Sequence, residues 1–283
     1  MGVLRSATLR VLGDADRAEV DALLARDPVA HVFVAARVEA AGLEPWRLGA
    51  EVWGHSGPDG RLDALCYAGA NLVPVEAGPA ALRAFADRAR RQGRRCSSLV
   101  GLAREVAPLW EALRPTWGEA RDVRPRQPLM VADGPPAVVP DPGVRPVRPD
   151  ELDVLLPASI AMFTEEVGVS PLVGDGGALY RARVAELVGQ GRAFARIEDG
   201  RVLFKAEVGA ATGRTCQVQG VWVDPALRGS GLGTAGTAAV LELARTRVAP
   251  VVSLYVNDFN TPARRAYERV GFRQVETFMS VLF

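Results

Sequence analysis

Residues 221–233 read Val-Trp-Val-Asp-Pro-Ala-Leu-Arg-Gly-Ser-Gly-Leu-Gly, and no other stretch constrains the fold of this chain as strongly. An apolar strand stops at Asp224-Pro225, a glycine-rich turn follows, and residues 234–246 predict a helix. A turn of that kind exposes unpaired backbone N–H groups at the positive end of a helix dipole, which is a place that binds phosphate. An ordinary strand-to-helix turn is the structural alternative.

The 283 residues are too many for one typical domain and comfortable for two. A hydrophobic content of 48% with 24% charged residues describes a soluble globular protein, and the net charge of +1 argues against a nucleic-acid binder. Cys66, Cys96 and Cys216 are odd in number, widely spaced and form no Cys-x-x-Cys pair, so neither a disulfide framework nor a zinc site is expected. The N-terminus carries Arg5 and Arg10 without an apolar signal core, and no apolar run approaches the roughly 18 residues of a membrane span. A cytoplasmic location without membrane attachment is the expectation.

In the first half, helices are predicted over 14–25, 29–41, 79–91 and 103–113. Strands are predicted near 50–53, 62–67, 71–75, 96–100, 119–123 and 128–131. His31 reads as a half-buried or surface position on a helix, and His55 as a turn residue. The basic run 88–95 reads as the solvated end of a helix. Residues 133–149 are rich in proline and glycine and predict a linker, which divides the chain into residues 1–135, a connection at 136–143, and residues 144–283.

In the second half, a helix opening at 149–151 continues to Phe163 past Pro157, which kinks or splits it. A glycine-rich loop reaches Gly177, and a helix is predicted over 178–188. Strands at 193–198 and 202–210 flank Asp199-Gly200, a strong hairpin signal. Further strands are predicted at 216–223, 251–256 and 277–282, with a helix over 261–270 capped by Thr261. The elements repeat the order of the first half, as an internal duplication would produce.

Arg228-Gly-Ser-Gly231-Leu-Gly233 has the Arg-x-x-Gly-x-Gly form of the pyrophosphate loop of GCN5-related N-acetyltransferases. Asn260-x-x-Ala263-x-x-x-Tyr267-x-x-x-Gly271-Phe272, after the strand at 253–256, resembles that family's other signature at the right distance. The segments 162–168 and 220–223 look like a bacterial subgroup in which the acetyltransferase domain follows a degenerate N-terminal relative. The resemblance implies an α+β fold of tandem domains, each a mixed, mostly antiparallel sheet flanked by helices. It also implies acetyl-CoA as co-substrate, with no metal.

Under that resemblance the amides of Gly229, Ser230, Gly231, Leu232, Gly233 and Thr234 converge on a pyrophosphate, with Arg228 adding a charge-assisted contact. The backbone of Val221, Trp222 and Val223 runs beside the pantetheine arm, and Asn260 contacts the cofactor or simply caps its helix. Tyr267 is the candidate acid for a departing thiolate, against the alternative of a core tyrosine. Glu207 is the candidate base; alternation sets it with Lys205 on one face of its strand, toward either the acceptor cleft or solvent. Glu165 and Glu166 lie where the family builds its acceptor site, in a loop.

The first half departs from the pattern. Pro74-Val-Glu-Ala-Gly-Pro79 stands where the loop should be, without the paired glycines or the arginine, and Trp110 falls where Tyr267 stands. No acetyl-CoA binding is expected there, which leaves packing, dimerisation or shaping of the acceptor cleft as its role. The expected activity is transfer of an acetyl group to a primary amine, of a small molecule or a protein lysine, by direct attack. A non-catalytic acyl-CoA sensor or scaffold would carry the same loop, and so would an enzyme using a longer acyl-CoA.

Overall fold

A computed structural model describes residues 8–173 and 176–283. Arg5 and part of the expected loop before Gly177 therefore lie outside the described residues. Two compact units emerge: one comprises the chain up to Leu129 together with Val275–Phe283, the other Met130–Gln274.

The first unit opens with β1 (Thr8–Val11), a 3-10 turn at Asp14–Asp16, α1 (Arg17–Leu24), α2 (Val32–Ala41) and the short α3 (Pro45–Leu48). A meander follows in β2 (Glu51–Ser56), β3 (Leu62–Ala68) and β4 (Asn71–Val75). Next come α4 (Pro79–Gln92), β5 (Ser98–Leu102), α5 (Ala103–Trp117) and β6 (Asp122–Ala132). The predicted helix at 29–41 begins later because Asp27 spends its carboxylate on the amides of Val29 and Ala30 in a turn. His31 ends up buried at the N-cap of α2, its Nδ1 3.2 Å from the Leu24 carbonyl, and not half-exposed on a helix. His55 is likewise no turn residue; it sits buried in β2 with Nδ1 2.7 Å from Asp63. The two short strands expected at 119–131 are one strand, β6.

The sheet of this unit runs β1-β2-β3-β4-β5 and continues into β12 (Arg273–Leu282), the last strand of the chain. β12 pairs antiparallel with β5, from Phe278 opposite Leu102 to Leu282 opposite Ser98. Met279 and Val281 thereby enter the same core as Trp53, Phe85, Leu109 and Trp110. Residues 144–283 were expected to stand together, yet the final nine lie with the first unit because their apolar face is buried there.

In the second unit β7 (Val144–Pro146) and a 3-10 turn at Pro149–Glu151 lead into α6 (Leu152–Val167). The rest follows as α7 (Ala178–Gly189), β8 (Ala193–Glu198), β9 (Arg201–Ala211), β10 (Thr215–Val223), α8 (Leu232–Arg247), β11 (Val251–Tyr255) and α9 (Thr261–Val270). The strand order is β11-β10-β9-β8-β7, antiparallel except for β10 with β11. Asp199 and Gly200 both take positive φ, 49° and 71°, as the predicted hairpin turn requires. Pro157 lies inside α6 without splitting it into two helices, contrary to one of the two expectations. Gly236 lets α8 settle on the sheet, since a Cβ there would stand 2.7 Å from the Phe204 ring. Among the described residues no helix is long and apolar enough to cross a membrane.

Candidate active site

β10 carries the site because it has two partners at its start and one at its end. Thr215, Cys216 and Gln217 pair in parallel with Val251, Val252 and Ser253, and no register with β11 continues beyond them. Residues 218–223 stay on β9 alone, so one side of the backbone is left without a strand neighbour. Within that stretch the pairing jumps from Gln219 opposite Glu207 to Trp222 opposite Lys205, with Gly220 at φ 59° in the bulge.

Past Val223 the chain closes a tight turn. Asp224 accepts from the Ala226 amide at 3.0 Å and from Arg201 Nε at 2.8 Å, which fixes the 3-10 turn Pro225–Leu227. Gly229 and Gly231 follow at φ 77° and 91°, a conformation that side-chain-bearing residues resist. Ser230 Oγ donates to the Leu227 carbonyl at 2.6 Å. α8 then starts at Leu232, with Gly231 as N-cap, two residues earlier than expected. The first amides of a helix have no acceptor within it, and here they open beside an exposed glycine turn.

Arg228 is already engaged. Its Nη2 donates to Glu165 Oε2 at 2.8 Å and its Nε to the Val223 carbonyl at 3.1 Å, while the Trp222 indole N–H reaches Glu165 Oε1 at 3.3 Å. Glu165 and Glu166 belong to the last turn of α6 and not to a loop, so a helix holds them. Neighbours on that turn face different partners: Glu166 Oε1 accepts from Asn257 Nδ2 at 3.2 Å and lies near enough to Tyr267 to act on its hydroxyl.

Tyr267 is only 7% exposed, stacked edge-on to Phe272 in the core of the unit. Burial first, then the Glu166 carboxylate, push its hydroxyl well above the ordinary phenol range, which keeps the proton on it at neutral pH. Asn260 Oδ1 accepts from the Ala263 amide at 3.3 Å, so Asn260 caps α9 and Thr261 is its first residue.

Glu207 faces neither open solvent nor an empty cleft. Its Oε2 accepts from Lys205 Nζ at 3.1 Å and its Oε1 from Gln219 Nε2 at 2.9 Å, and both charged residues are buried, 7% and 1% exposed. Lys205 Nζ also lies 3.4 Å from Ser159 Oγ, whose backbone carbonyl accepts from Tyr180 at 2.8 Å. The network sits directly under the bulge: a Cβ on Gly220 would stand 3.3 Å from both Lys205 Nζ and Glu207 Cδ. Sequence alternation found Lys205 and Glu207 on one face, but Ser159, Gln219, Tyr180 and Asn257 were missed. Only the strand register could have indicated Gln219, since it alone sets that residue opposite Glu207.

Known proteins match in both units. Residues 173–272 match the acetyltransferase (GNAT) family, and residues 50–155 match a domain of unknown function, DUF4081. Mycothiol acetyltransferase of Thermobispora bispora is 46% identical over 67 residues, 24% of this chain and 23% of that protein. Its counterpart from Acidothermus cellulolyticus is 49% identical over 61 residues, covering 22% and 18%. The match thus spans less than a quarter of these relatives' length. An acetyltransferase from the GNAT family of Colwellia psychrerythraea has a TM-score of 0.59 at 12% identity, covering 98% of this chain and 99% of that one. A GCN5-related N-acetyltransferase from Sphaerobacter thermophilus gives 0.59 at 19%, covering 98% and 95%. A tandem GNAT protein from the clavulanic acid biosynthesis pathway gives 0.54 at 16%, covering 98% of each chain. At these identities the structural likeness is one of fold.

Proposed function

Because residues 173–272 form an acetyltransferase (GNAT) family domain, we propose that the chain transfers an acetyl group from acetyl-CoA to a primary amine in a ternary complex. The observation that carries this reading is the departure of β10 from β11 after Gln217, ending at a positive-φ glycine turn on the N-terminus of α8. The residues fit the co-substrate. In the turn from Gly229 to Thr234 the Ser230 and Thr234 amides already bond the Leu227 and Gly231 carbonyls, and the remaining amides suit its pyrophosphate. Arg228 adds charge, and the side of β10 that leaves β11 after Gln217 suits its amide-bearing arm.

The chain's own groups then divide the proton chemistry. The exposed carboxylates of Glu165 and Glu166 draw a cationic amine, Glu207 takes its proton through the network under Gly220, and the Tyr267 hydroxyl donates to the departing sulfur. One N–H along 221–223 polarises the thioester carbonyl. The first unit serves as a non-acetylating partner domain.

Arg228 must leave Glu165 to meet a phosphate. Calorimetry with acetyl-CoA is expected to show Arg228→Ala binding about tenfold more weakly and Glu165→Gln binding more tightly, because the latter frees the guanidinium. In the same preparation, CoA release with a panel of amines should fall about a hundredfold in Tyr267→Phe at unchanged acetyl-CoA affinity. Unaltered affinity in Arg228→Ala rejects the phosphate loop, and binding without release by any amine favours the acyl-CoA sensor.

A further inference from the structure

Lys205 is the only lysine among the 34 lysine and arginine residues of the chain, and it is buried. Its side chain, on β9 of the second unit, is 1% exposed, against 10% for that of its partner Glu207. The Glu207 carboxylate is held at both oxygens, Oε2 by Lys205 at 3.1 Å and Oε1 by Gln219 of β10 at 2.9 Å. Lys205 Nζ also lies 3.4 Å from Ser159 Oγ of α6, so three elements fix one carboxylate.

An arginine would not do the same. Its planar fork takes both oxygens of a carboxylate together, whereas an ammonium is a point charge that takes one and leaves the other to Gln219. A chain that otherwise uses arginine for its basic positions departs from that habit where one oxygen belongs to a second donor. Nor does stability account for the pair. Desolvating two charges cancels much of their attraction, and apolar residues of similar volume generally serve a core as well. What an ion pair does supply is a fixed place for a carboxylate and a preference for its charged form. Here that place lies under the β10 bulge, where a Cβ on Gly220 would stand 3.3 Å from both head groups.

We propose that Lys205 is a positioning residue for deprotonation of the amine: its ammonium holds the Glu207 carboxylate charged and in place beneath the bulge, while the lysine itself is sealed from the substrate. The inference rests on the acetyl-transfer reading with Glu207 as base. In that transfer Glu207 takes one proton from the ammonium form of the amine, and the nitrogen bonds the acyl carbon as the C–S bond breaks. Tyr267 gives its proton to the sulfur and regains one from the new amide nitrogen.

Two nucleophiles separate the roles. Methylamine is an ammonium at neutral pH and needs the base, whereas hydroxylamine is largely uncharged there and needs no such step. CoA release from acetyl-CoA is measured with each on the full chain. Lys205→Met should lower release to methylamine at least about tenfold, lower release to hydroxylamine less than about threefold, and leave the KM for acetyl-CoA unchanged. Glu207→Gln should discriminate between the nucleophiles in the same direction. Adding Lys205→Met to Glu207→Gln should lower release to methylamine no further, because a positioning residue acts only through its base. The double variant also serves where the single one misfolds, since it leaves no buried carboxylate unpaired. Labelled at the side-chain nitrogen, the one lysine gives a single ammonium resonance by NMR, which should move in Glu207→Gln. Equal loss with both nucleophiles, a raised KM for acetyl-CoA, a further loss in the double variant or an unmoved resonance overturns the role of Lys205 and leaves the acetyl-transfer reading standing. No release from the unaltered chain to either nucleophile removes that reading, and this inference with it.

Discussion

At the third position of α5, Glu105 holds a carboxyl group that is 4% exposed and has its pKa pushed up to about 8, chiefly by burial. Arg104 and the amides of Ala77 and Glu76 pull the other way without prevailing. Those amides belong to the turn after β4, where Glu76 takes φ 55°; in the second unit the corresponding turn is the glycine loop. An internal carboxyl group therefore bonds the amides of this turn. Its raised pKa has a consequence for stability. Unfolded, the group ionises near 4.5; folded, near 8, so stability is full below the first value and declines as pH rises toward the second. Glu105→Gln should flatten that decline, worth on the order of a few kcal/mol, as followed by urea melts from pH 4.5 to 8. An identical slope in the variant would show that burial does not hold the proton. The motif positions of Asn260 and Tyr267 were legible in the sequence. Their partners were not: Glu166 reaches Asn257 across a chain separation of 91 residues, and neither side chain announces the other.

At the scale of elements, the helices and the meanders follow local rules. Pro79 opens α4, Gly271 closes α9 at φ 113°, and Asp199-Gly200 turns β8 into β9, each from chemistry within a few residues. The bulge in β10 is different, because it needs both a residue that tolerates positive φ and a neighbour layer that leaves no room. A Cβ at Gly220 would meet Met162 Cε at 3.0 Å besides the Lys205 and Glu207 head groups. Gly220→Ala should cost about 1–2 kcal/mol from left-handed backbone alone and, under the proposed function, lower CoA release at least tenfold by disturbing the strand proposed to face the thioester. Full turnover at a lowered melting temperature would separate the bulge from the chemistry.

For the whole molecule, the decisive fact is where the chain's last strand goes. Met279 and Val281 complete the core under α4 and α5, and Arg104 of α5 pairs with Glu276 at 2.6 Å. Met279→Ala should cost about 2–5 kcal/mol. Hydrogen exchange should show the loss in β5 and α5 and spare β10 and β11. Loss of protection confined to the second unit would refute this placement of the core.

Short-range chemistry let the sequence by itself determine the repeated order of elements and the glycine turn on α8, whereas the proline-rich stretch expected to connect two domains at 136–143 lies within the second unit. Glycine, proline and periodic apolar residues act on backbone within a turn or two, so their effects survive without a partner. Tertiary structure alone decided that Glu165 holds Arg228, that Lys205 and Gln219 share Glu207, and that the last strand completes the first unit. A carboxylate accepts any nearby donor and an apolar strand any open edge, so these choices are made by which surfaces the completed sheets bring together.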